Sequence, residues 1–301
     1  MRAETGASAP AGVIHDIGYQ RYRGIRLGRR YVFGALYAHA LRTAFGLGRT
    51  AKAKIFPWLI VTIVGAVAVG AAMGHQLIGH RLFTYAEFAD VMSWLVFFFV
   101  AAVAPELVSR DLRSGVLPLY FSRPLPHTDY VVAKLAALAT AVWVLLGGPQ
   151  LLMFSVAVFS TDLTPRVVWR EFTDLLPGLA YAAVWALLFA SVGLLVASST
   201  GRRAFAAGGI VAVFLMTTPI VGVLSVMPSE TINALAGLAA PLTLVQGVGL
   251  WLWRKWLVTN PDQQPALDIG EFGPLYGLVT LMVIVACVGL LLARYRKVAA
   301  Q

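Results

Sequence analysis

Residues 54–81 read KIFPWLIVTIVGAVAVGAAMGHQLIGHR, and no Asp, Glu, Lys or Arg lies between Lys54 and Arg81. The hydrocarbon core of a bilayer is about 30 Å thick, so roughly 20 mostly apolar residues cross it as an α-helix. The interval is long enough to hold one such span. The same uncharged gap recurs from Lys134 to Asp162, from Asp174 to Arg202, from Arg203 to Glu230 and from Glu271 to Arg294. A sixth interval, Val91 to Pro105, is shorter but contains Trp94-Leu95-Val96-Phe97-Phe98-Phe99-Val100. It reaches full length if Glu87 and Asp90 sit at the water interface in its first turn. Otherwise it is a re-entrant segment, and the number of spans is odd.

The expected fold is an all-α polytopic membrane protein with six transmembrane helices inside residues 55–298, at about 55–78, 86–108, 133–160, 175–199, 204–227 and 272–294. The composition agrees. Hydrophobic residues make up 59% of the 301 residues and charged ones 13%, against about 25% charged in a typical soluble domain. A soluble fold of this length could bury a large core, but it would lack a charged shell. The single cysteine, Cys287, excludes an internal disulfide and a thiolate metal cluster, and in its apolar run it reads as a buried, inert thiol. The first 54 residues are polar and basic with no apolar signal-peptide core, so the first span is expected to act as the signal.

Between Pro228 and Gly270 the pattern is broken. Ile232–Ala240 and Leu242–Trp253 are apolar, but Pro228, Pro241 and glycines interrupt them. Each piece is too short to span, and both are expected to be re-entrant or interfacial helices before the last span. The other reading is a seventh and an eighth span. Trp251, Trp253 and Trp256, with Arg254 and Lys255 among them, look like an interfacial belt.

The net charge of +10 invites a nucleic-acid reading, but the placement of the basic residues explains it otherwise. With the N-terminus inside, 19 of the 24 Lys and Arg fall on the cytoplasmic side of a six-span topology. Positive residues mark that side in short loops. Both termini are thus expected in the cytoplasm, the chain in a bacterial cytoplasmic membrane, and nucleic acid is not an expected partner. Residues 1–30 form a basic leader. Residues 31–50 are expected to hold an amphipathic elbow helix on the membrane surface: Phe33, Leu36, Tyr37, Ala40, Leu41, Ala44 and Phe45 share one face, with His39, Arg42 and Thr43 largely opposite. A soluble helix packed on a partner would show the same pattern.

Catalytic patterns are missing. Gly46 to Lys52 has glycines and a lysine, but Ala51 stands where a phosphate loop needs glycine, and the segment leads into a membrane helix. There is no Gly-x-Ser-x-Gly and no His-Glu-x-x-His. His75 and His80 lie near Glu87 and Asp90 in sequence but at no helical ligand spacing, so no metal site is expected. The span interiors carry no ionisable residue, which argues against a proton- or sodium-coupled carrier. Their sparse polar groups, Gln150, Thr217 and Thr218 above all, are the candidate pathway residues. Pro219 is expected to kink the fifth span.

The informative segment runs from Pro105 to Lys134. It holds Glu106, a charged helix through Asp111 and Arg113, a break at Gly115, an amphiphilic piece with Leu117, Leu119, Tyr120 and Phe121, a stop at Arg123-Pro124, and Tyr130 before Lys134. Lys134 is expected to snorkel to the headgroups. Exposing the apolar residues of this loop to water is costly unless a partner covers them. The segment resembles the first cytoplasmic loop of permeases of the type-2 ABC export family. Glu106, Asp111, Gly115, Leu119, Ser122, Pro124, Tyr130 and Lys134 fall on that loop's pattern. The basic surface helix and the broken stretch before the last span are similar too. The leader, Ile14 to Tyr22 included, lies outside the family core.

That resemblance implies a coupling helix at Gly115 to Arg123 seated in a separate ABC ATPase, with a second contact around Ser199 to Arg203. Glu106, Asp111, Arg113, Gly115, Leu119, Tyr120, Phe121, Arg123, Arg202 and Arg203 would then couple the spans to ATP hydrolysis. ATP and Mg would be bound in the partner, with no cofactor in this chain. The partners implied are the ATPase, a second copy or related permease, and lipids. The function expected is export of a hydrophobic or amphipathic substrate. A related permease for maturation or assembly, a membrane-embedded lipid-modifying enzyme, and a channel or scaffold without energy input stay open.

Overall fold

A computed structural model describes residues 27–78, 82–115, 117, 120, 125–160, 164–257 and 267–299, and these are helical with connecting turns. Residues 1–26 of the leader lie outside the described residues, as do His80, Arg81, Leu119, Phe121, Ser122, Arg123 and Pro124, and the side chains of His75, Lys255 and Trp256.

The helices follow the uncharged gaps. α1 (Arg29–Ala44) precedes α2 (Ala51–Ile78). α3 (Tyr85–Leu107) runs almost directly into the short α4 (Ser109–Arg113). α5 (His127–Ser160) and α6 (Pro165–Ser198) each have 34 residues. α7 (Arg203–Met216) and α8 (Thr218–Leu224) make one interrupted helix. α9 (Glu230–Leu235), a 3-10 turn over Ala236–Ala239 and α10 (Pro241–Leu257) follow, and α11 (Gly273–Ala299) ends the described chain. Six of these stretches are long and apolar enough to cross a membrane.

Local chemistry sets the boundaries. α3 opens with a capping box: the Thr84 hydroxyl accepts from the Glu87 N–H at 3.2 Å, and the Thr84 N–H donates to Glu87 Oε2 at 3.3 Å. The second span therefore does reach full length with Glu87 in its first turn. α5 and α6 begin well before the gaps that revealed them, at about 50 Å in length. Charges such as Asp129 or Arg170 end a membrane segment but not a helix. The expected break at Pro219 is present, since α7 stops at Met216. There Thr217 and Thr218 turn their hydroxyls onto the carbonyls of Val213 and Phe214, at 2.8 and 3.1 Å.

The rings of Tyr130, at the start of α5, and Tyr295, near the end of α11, lie 5.1 Å apart. That contact defines one end of the bundle, here called the basic end. At the opposite end α9 and α10 form a pair bent by 118°. The Gln246 amide of α10 donates to Asp90 at the start of α3, and the Tyr276 hydroxyl at the start of α11 donates to the Ala234 carbonyl at 2.8 Å. Both arms of the pair thus contact the starts of neighbouring helices at this end. α10 is itself kinked at Trp253.

α3, α5 and α6 carry most of the packed interior, while α2, the α7–α8 helix and α11 are the least buried spans. Between helices in lipid the hydrophobic effect gives little, so close approach and hydrogen bonds do the holding. Gly193 of α6 lies so near Val100 of α3 that any Cβ there would overlap the valine. Around it Trp185, Phe189 and Phe214 stack edge to face, with centroids 5.0 and 4.7 Å apart.

Candidate functional site

The polar chemistry of the basic end centres on two carboxylates of the α3–α4 continuation. Glu106 is nine-tenths buried. Its Oε2 pairs with Arg49, in the turn before α2, and its Oε1 with Arg203, the first residue of α7. One acid thus ties three elements together. Five residues on, Asp111 accepts from Lys134 Nζ and from the Tyr130 hydroxyl, both at 2.8 Å. Lys134 does not snorkel to headgroups as expected. It is buried and turned inward onto Asp111, and it also lies 5.4 Å from the Tyr130 ring centroid. The Ser109 hydroxyl donates to the Ala197 carbonyl at 2.7 Å and joins α4 to the end of α6.

α1 packs along α5. Leu36, Ala40 and Ala44 are buried, and Phe33, Tyr37, Leu41 and Phe45 are half-buried beside them, which is the face read from the sequence. Tyr37 donates to Thr140 at 3.1 Å. Arg29 grips Asp129 with two hydrogen bonds of 2.5 and 2.6 Å, and this contact raises the Arg29 pKa. This face packs on the chain's own α5 and, through Phe45 against the ring of Phe99, on α3.

Between α1 and α4 opens a cavity of about 1110 Å³, with Arg42, Arg49, Arg110 and Lys134 facing Glu106 and Asp111. Four cations meet two carboxylates, so the cavity has an excess of positive charge. Arg110 and Ser114 are exposed along its rim, and Arg113 and Gly115 are exposed outside it. Gly115 takes φ = 64°, a left-handed conformation that ends α4 at little cost only for glycine.

The loop beyond it departs from expectation. Leu117 and Leu125 are buried, and Tyr120 is half-buried with its ring 6.0 Å from that of Tyr130. Burial, with the Asp111 charge behind it, raises the Tyr120 pKa. The bundle covers Leu117 and part of Tyr120, while Leu119 and Phe121 lie outside the described residues. Arg113 and Arg202 stand apart from the Glu106 cavity, with Arg113 against Gly201. Of the expected coupling residues, the structure therefore brings Glu106, Asp111 and Tyr120 to one cavity, and Arg113, Arg202 and Arg203 to its outer flank.

The candidate pathway residues do not form one feature. Thr217 and Thr218 bond to their own helix, and Gln150 is fully buried beside Gly178 and Tyr85. The reading that span interiors lack ionisable groups holds only for their central turns. Asp90 is held by Tyr181 at 2.9 Å and Gln246 at 3.3 Å, and Glu171 is buried with the Tyr85 hydroxyl at 2.9 Å. Both acids lie in the early turns of their helices and point into the bundle. The missed signal was the face of each helix on which the acid falls. Among the described residues no group of three His, Cys, Asp or Glu side chains could hold a metal ion.

No protein-family model matches the chain, and no curated protein matches it.

Proposed function

We propose that this chain is the membrane subunit of an ATP-driven exporter of the type-2 ABC kind. A separate ATPase would dock at the basic end, and a second copy or a related chain would complete the membrane part. The observation that carries the reading is the bracing of the α3–α4 continuation. Glu106 and Asp111 fasten it by ion pairs to the α1–α2 turn, to α5 and to α7. A segment so fastened moves with three spans when something pushes on it, which is what a coupling element must do. An isolated loop at a channel or scaffold would need no such ties.

In this reading Arg110 and Ser114 on the exposed rim, with Gly115 beside them, face the ATPase, and Asp111 and Tyr120 act behind them as positioning residues. Leu119, Phe121 and Arg123 would belong to the same docking segment. α1 would lie as an elbow along the membrane surface, and the bent α9–α10 pair would enter the far leaflet and return. The basic end would face the cytoplasm. The substrate would be hydrophobic or amphipathic, since the spans offer few polar groups.

The test is co-purification of the full chain with a Walker-loop ATPase co-expressed from its own genome. Arg110→Glu combined with Ser114→Glu alters only exposed positions, and it should abolish co-purification and substrate-stimulated ATPase activity. Equal recovery with the double variant would sink the coupling reading.

A further inference from the structure

On the outer flank of the Glu106 ion pairs lies a second hollow, of about 920 Å³. Phe56 of α2, Phe205 of α7 and Ala102 of α3 supply its apolar lining. Arg113, Arg202 and Arg203 line the same hollow. It is thus a groove at the basic end of two spans, apolar where those spans run and cationic where they stop. Phe56 is 42% exposed and Phe205 66%. Arg203 is engaged with Glu106. Arg113 and Arg202 make no ion pair with a carboxylate among the described residues. The Arg202 guanidinium sits 5.7 Å from the Phe205 ring centroid, which brings charge and apolar surface within one side chain's reach.

Charge and shape decide among occupants. A soluble anion would satisfy the arginines but make no use of the apolar surface of Phe56 and Phe205 beside them. A second copy meeting this groove about a two-fold axis would set the same arginines against one another. A molecule with an anionic head and an apolar tail matches both halves. We propose that the groove binds one anionic glycerophospholipid. Its phosphate would lie on Arg113 and Arg202, and an acyl chain would lie between Phe56 and Phe205 over Ala102. Arg203 has donors to spare beyond its bond to Glu106, so the headgroup meets the outer side of the ion pair that braces α3 to α7. The inference does not depend on the exporter reading, since it concerns this chain alone.

The experiment is native mass spectrometry of the full chain in mild detergent, titrated with phosphatidylglycerol and phosphatidylcholine of matched acyl chains. The wild type should bind its first phosphatidylglycerol roughly thirtyfold more tightly, as expected for two headgroup-level arginines. Arg113→Gln with Arg202→Gln should bring that ratio to about one. Arg202→Gln alone lies in an exposed turn and should leave about fivefold, so the claim does not hang on the folding of the double variant. Arg294→Gln with Arg296→Gln, exposed on the last turns of α11, should keep the full preference. Phe205→Ser should weaken both lipids alike. Equal wild-type affinity for the two lipids would overturn the proposal. So would a preference that survives loss of Arg113 and Arg202, or one lost equally with Arg294 and Arg296. Displacement of the lipid by inorganic phosphate at the same concentration would mark a soluble-anion site and also overturn it.

Discussion

Glu106 and Arg203 form an ion pair that ties the end of α3 to the first residue of α7, while the second oxygen of Glu106 holds Arg49. The acid is buried, but its two partners differ: the Arg49 side chain is 24% exposed and that of Arg203 63%.

That asymmetry sets the first prediction. Glu106→Gln leaves two guanidiniums without their charge partner and should destabilise the protein by about 1–3 kcal/mol. Arg49→Gln should cost more than Arg203→Gln, because water screens the exposed pair. Thermal unfolding of the purified variants in one detergent checks the order. A larger loss for Arg203→Gln would show that the buried acid depends on α7 rather than on the turn before α2.

The second prediction contrasts two pairs on α5. Lys134 is buried and the Asp111 side chain is 16% exposed, whereas the Arg29 side chain that meets Asp129 is 64% exposed. Lys134→Met strands a buried carboxylate and should cost about 3 kcal/mol or more. Arg29→Gln should cost at most about 1 kcal/mol. Adding Asp111→Asn to Lys134→Met should recover part of the loss, since the stranded charge is then gone. Stability measured over this double-mutant cycle reads the coupling directly.

Much of this architecture is legible from charge spacing. A charged side chain is costly within the bilayer core, so gaps such as Lys54 to Arg81 mark spans without any homologue. The same signal misplaces the starts of α5 and α6, because a helix continues into water where the membrane stops. Lys134 was read as a headgroup contact for the same reason. Hydropathy reports how far a residue is from the bilayer centre, not that Asp111 stands within 2.8 Å of it. Glu106 and Asp111 could be singled out from local pattern, and Arg203 through the family resemblance. Arg49 could not, since its partner is brought by the packing of α2 on α3. The burial of Leu117 likewise depends on packing against the bundle, which the local sequence does not report.

The third prediction concerns the α3–α6 contact. A Cβ at Gly193 would overlap Val100, so Gly193→Leu should force the two helices apart and cost about 1–3 kcal/mol or more. Val100→Ala makes room and should restore part of the stability of Gly193→Ala, although alone it leaves a small void and costs about 1 kcal/mol. Retention of the folded fraction in detergent, read by size-exclusion chromatography against temperature, follows the series. If Val100→Ala gives Gly193→Ala no relief, then helix propensity rather than contact governs that position.

The fourth prediction tests the orientation on which the exporter reading depends. The chain has one cysteine, Cys287, buried in α11. Cys287→Ala therefore gives a cysteine-free background at small cost, since the residue packs as a small apolar group. Two exposed positions then report opposite ends of the bundle. Ser114 lies just beyond α4 at the basic end, and Glu271 lies just before α11 at the far end. With the basic end in the cytoplasm, a membrane-impermeant maleimide should label Glu271→Cys in intact cells and leave Ser114→Cys untouched until the cells are opened. The positive-residue bias supports that outcome, and so does the bracing of Glu106 and Asp111 if it is to meet an ATPase. Labelling of Ser114→Cys in intact cells would put the α3–α4 continuation outside, where no ATP-driven partner could push on it. The groove between Phe56 and Phe205 would keep its lipid chemistry in either orientation, so this result separates the two proposals.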